Sequence, residues 1–504
     1  MRRFLDLPLL VILAAVGALA MLAPALHALA TGAIAVFEAF FYSALLFGLL
    51  TALLALGTAR YEPRDIARSQ FLSLVGAYVV LPPILAVPMV EAVEGARFLE
   101  AWFEMVSSFT TTGATLYETA QSVPDSVHLW RALVGWLGGF FTLLAVLAML
   151  APVNLGGFEV LSDRAAGRSG YGAAQITRVA DPSERLVLHA RQLAPIYAGL
   201  TGVLWLALTV AGDRPLPAVL HAMSTLATSG ITMGAQPGAG AGLAGEALIF
   251  AGLIFAVTRR GLPGTLLPGE TRGITRDPEI WIAATIVLGV GLALFLRHAL
   301  GAAEGGAGGN AALVLRVFWG GVFTALSFLT TTGFVSAEWA AARAWSGLET
   351  PGLVLAALAV TGGGVATTAG GLKLLRVYAL WRLTLRELDR LIHPSSVAGQ
   401  GAQLRRIRRQ GGYSAWIFAM LFIASNALIV MVLALAGLEF EPAIVFAMAA
   451  FTTTGPLVSI ATEVQLHWSD LSDGVRAILA AAMVLGRLEL LALIVVLLPE
   501  SWRG

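Results

Sequence analysis

Cysteine is absent from all 504 residues, which excludes disulfides, thiolate metal sites and cysteine-held iron–sulfur clusters. Charge is nearly as scarce: Asp, Glu, Lys and Arg make up 12% of the chain, and Lys373 is the single lysine among 32 basic side chains. An ordinary soluble surface draws on about a quarter of its residues being charged, so little of this chain is built to face water. No stretch between apolar runs is long enough for a separate soluble domain. The seven histidines are scattered with no H-E-x-x-H or similar pair, and read as interfacial or structural. Clustered histidines, paired carboxylates and a nucleophile motif are all lacking, which argues against a membrane enzyme.

What the chain has is apolar length. Hydrophobic residues make up 58% of it, and mean hydropathy is +0.81. A helix needs about 20 apolar residues to cross the hydrocarbon. Uncharged runs of that kind recur at 8–30, 34–56, 71–90, 132–152, 278–296, 413–436 and 477–499. Met1-Arg2-Arg3 before the first run resembles a signal peptide, but the run is long, lacks a small-x-small end and is followed directly by another, so it reads as a span.

The formal net charge is +1, unevenly spread. Loops carrying Arg60, Arg64 and Arg68, then Arg164, Arg168, Arg178 and Arg185, then Arg259, Arg260, Arg272 and Arg276, then Lys373 through Arg409 are basic. The alternate loops hold Glu91, Glu94, Glu118, Asp125, Glu439, Glu441, Glu463, Asp470 and Asp473. The positive-inside rule places the first set, and the N-terminus, in the cytoplasm. Arg405-Arg406-Ile407-Arg408-Arg409 just before a span reads as a topology anchor, and no nucleic-acid partner is expected.

A repeat organises the rest. Thr110-Thr111-Thr112-Gly113, Ala227-Thr228-Ser229-Gly230, Thr330-Thr331-Thr332-Gly333 and Thr452-Thr453-Thr454-Gly455 lie 117, 103 and 122 residues apart, glycine to glycine. Each follows a spanning run and a shorter segment (98–109, 216–226, 315–329 and 442–451), and precedes a second spanning run. That order predicts an outer helix, a re-entrant pore helix, a filter loop and an inner helix. Two crossings plus one re-entrant excursion return the chain to its starting side, so successive units share one orientation. The fold expected is an all-α integral membrane protein with four parallel repeats around a pseudo-fourfold axis and two leading transmembrane helices. The repeats are bounded at 61–155, 156–265, 266–400 and 401–504, after leading helices in 1–60.

Irregular backbone survives at membrane depth only when buried in protein or lining an aqueous path. Four loops meeting on an axis satisfy that condition, and their carbonyls can replace the hydration shell of a cation. The candidate ion-lining residues are Thr111, Thr112 and Gly113; Thr228, Ser229 and Gly230; Thr331, Thr332 and Gly333; and Thr453, Thr454 and Gly455. Glycine is expected at each because a Cβ would forbid the dihedral that turns the carbonyl inward. The C-terminal end of each pore helix adds a negative partial charge at the centre.

These motifs resemble the Trk/Ktr/HKT superfamily of potassium transporters, over essentially the whole chain. Trp130-Arg131 and Trp136-Leu137-Gly138-Gly139 match its first inner helix. Thr361 to Gly364 with Thr368 to Lys373 match the third, Leu485 to Glu489 the fourth, and His393-Pro394-Ser395 the segment between repeats three and four. The leading pair of spans resembles the bacterial Trk-type subgroup. The resemblance implies selective K⁺ uptake driven by the membrane potential, an inner-membrane homodimer, cytoplasmic nucleotide-binding regulatory subunits, and no cofactor on this chain beyond K⁺. It departs from the pattern at Thr454-Gly455-Pro456-Leu457, where close relatives tend to have Asn before the glycine and a second glycine after the proline, and at Ser229. Na⁺ or Na⁺/K⁺ transport on this scaffold is associated with serine at the first filter glycine, and Gly113 is intact.

Three further features concern gating. Gly362, Gly363 and Gly364 with Gly370 and Gly371 bracket Thr367 and Thr368 where an inner helix should run. Glycine costs about 1 kcal/mol in a helix interior, so the cluster predicts a break that gates the pore, the alternative being close helix packing. Lys373 either needs its ammonium or is an ordinary snorkelling residue. Arg487 lies inside the last apolar run, where a charge faces a cavity or a partner. It reads as a positive barrier below the filter or as half of a salt bridge to another repeat.

Overall fold

The computed structural model describes residues 8–58, 66–151, 182–234, 236–261, 277–305, 311–346, 352–393, 409–462 and 465–488. All four expected repeat boundaries lie outside these residues, as do Arg60, Arg64, Arg164, Arg168, Arg178, Arg272, Arg276, Pro394, Ser395, Arg405, Arg406, Arg408, Glu463 and Glu489. Regular structure among the described residues is helical, and seven helices are long and apolar enough to cross a membrane.

Two leading segments come first: α1 (Leu9–Ala20) with α2 (Leu22–Ala30), and α3 (Ile34–Thr58). The expected span at 8–30 is interrupted at Met21, three residues before Pro24, whose missing N–H removes a helical hydrogen bond. On α3, Leu45, Leu49, Leu53 and Leu56 form a stripe that is more than half exposed. A leucine face of that length is tolerable against lipid and not against water.

The first repeat is α4 (Ile66–Ala92), α5 (Phe98–Phe109) and α6 (Asp125–Ala145). The second is α7 (Pro182–Val210), α8 (Pro215–Ala227) and α9 (Gly242–Leu253). The third runs through α10 (Pro278–Gly305), α11 (Ala311–Leu329), α12 (Trp339–Ser346), α13 (Gly352–Thr361) and α14 (Leu374–Ile392). The fourth is α15 (Arg409–Leu435), α16 (Phe440–Phe451) and α17 (Asp473–Arg487). The short helices α5, α8, α11 and α16 end at the four motifs, as the sequence predicts. Pro215 opens α8 with no N–H to lose.

Two inner helices differ from expectation. The second, α9, ends at Leu253 and tightens into a 3₁₀ turn over Ile254–Ala256, because the third repeat packs against its end. The fourth, α17, starts at Asp473 with Ser472 as its cap. Arg487 is therefore its last residue, not a mid-helix charge, in place of the uninterrupted run expected over 477–499.

Glycine sets how closely inner and pore helices approach. A Cβ on Gly138 of α6 would run into the Phe109 carbonyl oxygen, and one on Gly486 of α17 into the Phe451 carbonyl oxygen. Gly139 likewise meets Ala227 of the second repeat, so α6 is wedged between two pore helices. The ring closes between fourth and first repeats through Arg97 to Asp473 at 2.9 Å and His467 Nδ1 to Glu118 Oε1 at 2.6 Å.

Gly138→Ala should cost about 1–3 kcal/mol from overpacking, read as a lowered melting temperature in detergent. Gly199→Ala, at a helical position with open space, should not lower it. The Glu118 carboxylate raises the pKa of His467. The clasp is then fully formed below the ordinary imidazole value of about 6.5 and is lost as pH climbs through the raised value. An NMR titration of the His467 ring should show that elevated value, returning toward the ordinary one in Glu118→Gln.

Candidate ion pathway

Each pore helix hands over to its motif in the same way. Thr111, Thr228, Thr331 and Thr453 all adopt left-handed backbone with φ of 56, 53, 57 and 56°, a conformation threonine takes only when its surroundings impose it. The next residue then folds back on the pore helix: Thr112 N–H donates to Ser107 O, Ser229 to Ser224 O, Thr332 to Ser327 O and Thr454 to Ala449 O, at 2.8 to 3.0 Å. Four non-glycine residues sharing this rare geometry are local evidence that the motifs are one structure repeated.

The hydroxyls divide the work. Thr112 pairs with Thr110 at 2.8 Å, Thr332 with Thr330 at 3.1 Å and Thr454 with Thr452 at 3.2 Å. These third-position side chains brace the loop. In the second repeat Ala227 has no hydroxyl, and Ser229 turns to Ser224 instead, at 3.1 Å. At the second position, the Thr111 and Thr453 hydroxyls are buried without a hydrogen-bond partner in the protein, which suits an ion or its water.

The glycines interlock in sequence order. An added Cβ on Gly113 would strike Ser229 O, one on Gly230 would strike Thr332 O, one on Gly333 would meet Pro456 at 2.9 Å, and one on Gly455 would strike the Ala114 nitrogen. Repeat one thus abuts two, two abuts three, three abuts four, and four returns to one. Gly113, Gly230 and Gly333 have positive φ of 71, 65 and 81°, as a dihedral requirement predicts. Gly455 does not. It enters a 3₁₀ turn with Pro456 and Leu457, donates to Thr112 O at 2.6 Å and accepts from Trp468 Nε1 at 3.3 Å. Its constraint is the closeness of Ala114, and the substitution beside it, Pro456-Leu457, falls in this tightened turn.

Behind each filter loop, three residues before the serine or alanine that anchors it, stand Glu104, His221, Thr324 and Phe446. Glu104 accepts from Leu116 N at 2.5 Å, Thr115 Oγ1 at 2.9 Å and Arg131 Nε at 2.8 Å. Thr324 Oγ1 accepts from Ser336 N at 3.3 Å, and His221 faces Asp213 at 3.8 Å. Phe446 stacks edge-on to Trp468, 5.0 Å between centroids. The sequence reading missed these props. Glu104 and Arg131, charges within apolar segments, were a signal of the kind that singled out Arg487.

The predicted break in the third inner helix is present: α13 stops at Thr361 and α14 resumes at Leu374. The intervening loop reaches three other parts of the ring. Thr368 Oγ1 donates to Leu226 O at the end of α8, 3.0 Å, and Gly370 N–H donates to Thr331 Oγ1 at 2.7 Å. Gly370 also lies against Thr452 O and Thr453 Oγ1, too close for a Cβ. On the other side Gly364 N donates to Ala256 O at 3.0 Å and Val365 N to Glu279 Oε1 at 2.8 Å, while Glu279 Oε2 pairs with Arg259 at 2.9 Å. Thr367 closes an internal turn on Gly364 O. Gly362 and Gly371 pack backbone to backbone with positive φ. Lys373 is buried, and its ammonium donates to Ala369 O, so it ties the loop and does not snorkel.

Arg487 is not joined to that loop. Its Nε donates to Thr142 Oγ1 at 3.0 Å, and Thr142 in turn pairs with Tyr78 at 3.0 Å. The guanidinium is buried on the seam between repeats four and one, with one nitrogen lacking a hydrogen-bond partner. Among the described residues no carboxylate reaches it, so hydroxyls stand where the salt-bridge alternative placed an acid.

The family described as cation transport protein, TrkH, matches residues 314–502. The chain is 28% identical over 438 residues to the Trk system potassium uptake protein TrkI of Halomonas elongata, covering 85% of this chain and 82% of that one. It is 27% identical over 510 residues to the TrkH protein of Vibrio parahaemolyticus, covering 98% of both. The crystal structure of the potassium transporter TrkH from Vibrio parahaemolyticus superposes with a TM-score of 0.79 at 24% identity, covering all of both chains. Four interlocked filter loops on a multi-pass helical scaffold are thus what this chain shares with the Trk system potassium uptake proteins that it is similar to, and its fold is that of the solved TrkH structure.

Proposed function

We propose that this chain takes up potassium through the axis enclosed by its four motifs, driven by a membrane potential worth about 2.3 kcal/mol per charge per 100 mV. The observation that carries the reading is the ring itself. Four left-handed threonines and four glycines bring backbone into close quarters at membrane depth, an arrangement suited to stripping and replacing a cation's water. Relatives of similar length are named potassium uptake proteins. The intact Gly113 favours potassium over sodium. No cofactor beyond the ion is called for.

In this reading the loop from Gly362 to Gly371 is the gate, because it contacts the ends of three pore-helix units on the side opposite the filter exits. Lys373 fastens the loop internally. Arg487 places a positive charge on the seam of repeats four and one. The basic loops put the N-terminus in the cytoplasm of a bacterial inner membrane. The family resemblance supports a homodimer working with cytoplasmic nucleotide-binding subunits that bear on the gate.

Uptake of radiolabelled Rb⁺ or K⁺ by proteoliposomes of the purified protein, with Na⁺ as competitor, tests the reading; equal uptake of Na⁺ would overturn the potassium assignment. Gly333→Ala places an alanine at φ 81°, a penalty of about 1–2 kcal/mol. Uptake, or preference for K⁺ over Na⁺, should fall roughly tenfold while the protein still folds. Deleting Gly362 to Thr368 should raise flux per folded molecule; unchanged flux in a well-folded deletion would favour a packing role.

A further inference from the structure

Five acidic side chains are buried among the described residues: Glu104, Asp213, Glu246, Asp277 and Glu279. Four face a cation or an imidazole. Glu104 meets Arg131 at 2.8 Å, Glu279 meets Arg259 at 2.9 Å, Asp277 meets Arg260 at 3.5 Å, and Asp213 faces His221 at 3.8 Å. Glu246, 1% exposed on α9, has no basic side chain within ion-pair distance among the described residues.

Glu246 is held by neutral donors from the third repeat. Ala337 N–H donates to Oε1 at 2.7 Å and Trp319 Nε1–H to Oε2 at 2.8 Å, and the Ser336 hydroxyl lies 3.0 and 2.8 Å from the two oxygens. Each oxygen receives an obligate N–H donor, the arrangement a carboxylate anion wants. An amide in its place would turn an NH₂ toward one of those donors. Ser336 and Ala337 follow Gly333 by three and four residues, so the carboxylate sits just beyond the third filter strand, on the side where the filter loops exit.

We infer that Glu246 sets the affinity of the outer mouth for potassium: it positions the third filter strand through Ser336 and Ala337, and its uncancelled negative charge concentrates cations there. A fixed charge inside protein is poorly screened and acts through low-dielectric material, and a mouth lined by one sign of charge raises the local concentration of the opposite ion. The first repeat, with Arg131 against Glu104, carries no such net charge. This inference rests on reading the axis as a potassium pathway.

Initial rates of Rb⁺ uptake against external Rb⁺, in proteoliposomes of the full chain, test it alongside melting temperature. Glu246→Gln should raise the half-saturating concentration roughly three- to tenfold, with the maximal rate per folded molecule changed less than about twofold. Glu246→Asp, which keeps the charge, should restore most of the affinity. Because the glutamine amide would confront the indole N–H, the same comparison in a Trp319→Phe background removes that conflict and should show the same shift. A folded Glu246→Gln protein with unchanged half-saturation would overturn the inference. So would a fall in maximal rate and melting temperature alone, which marks a structural strap. No Rb⁺ uptake by the unsubstituted protein would overturn the pathway reading itself, and this inference with it.

Discussion

Every unusual feature of this chain follows from one constraint: a peptide group at membrane depth must find a hydrogen-bond partner or line a polar path. Four pore helices stop short of the far side, and each leaves a loop of irregular backbone behind it. No single loop can satisfy itself. Each folds back on its own helix through the anchors at Ser107, Ser224, Ser327 and Ala449, then leans on the loop of the next repeat through its glycine. The left-handed threonines are strained positions that persist because both neighbours hold them.

The symmetry is a starting point that the side chains depart from. Behind the four loops stand a carboxylate with its arginine, a histidine facing an aspartate, a threonine, and a phenylalanine under a tryptophan. The first and third loops are braced by buried carboxylates, one neutralised by Arg131 and one with no basic partner among the described residues. The fourth loop trades a left-handed glycine for a 3₁₀ turn pinned by Trp468. A ring of identical loops would present the same field in four directions; this one does not.

The third repeat carries the largest departure. Its inner helix is cut in two, and the released segment makes contact with repeats two, three and four. The small residues that break the helix also let the segment fit. Gly363 and Gly364 press on Ala256 and Val257, where the second inner helix has itself ended early, and Gly370 presses on Thr452. Helix break and close approach are one property of glycine used twice, so the interrupted helix and the close packing, opposed as readings of the sequence, coexist in the same residues.

Much of this was legible from residue order. Apolar runs identify lipid as the solvent, because length and hydropathy are properties of contiguous sequence. The fourfold motif at matched spacing identifies the repeats and the ends of the pore helices, and the glycine cluster between Gly362 and Gly371 identifies the broken third inner helix, since each is a local consequence of threonine and glycine. The remainder depends on partners far apart in the chain. Arg487 finds the hydroxyl of Thr142 345 positions away, Glu246 holds Ser336 across 90, and Gly455 is constrained by Ala114 and not by its own dihedral. Periodicity and motif spacing carry no information about such juxtapositions. Only packing decides whether a buried charge meets an acid, a hydroxyl or nothing, because that outcome depends on which helices the close-packed ring brings together.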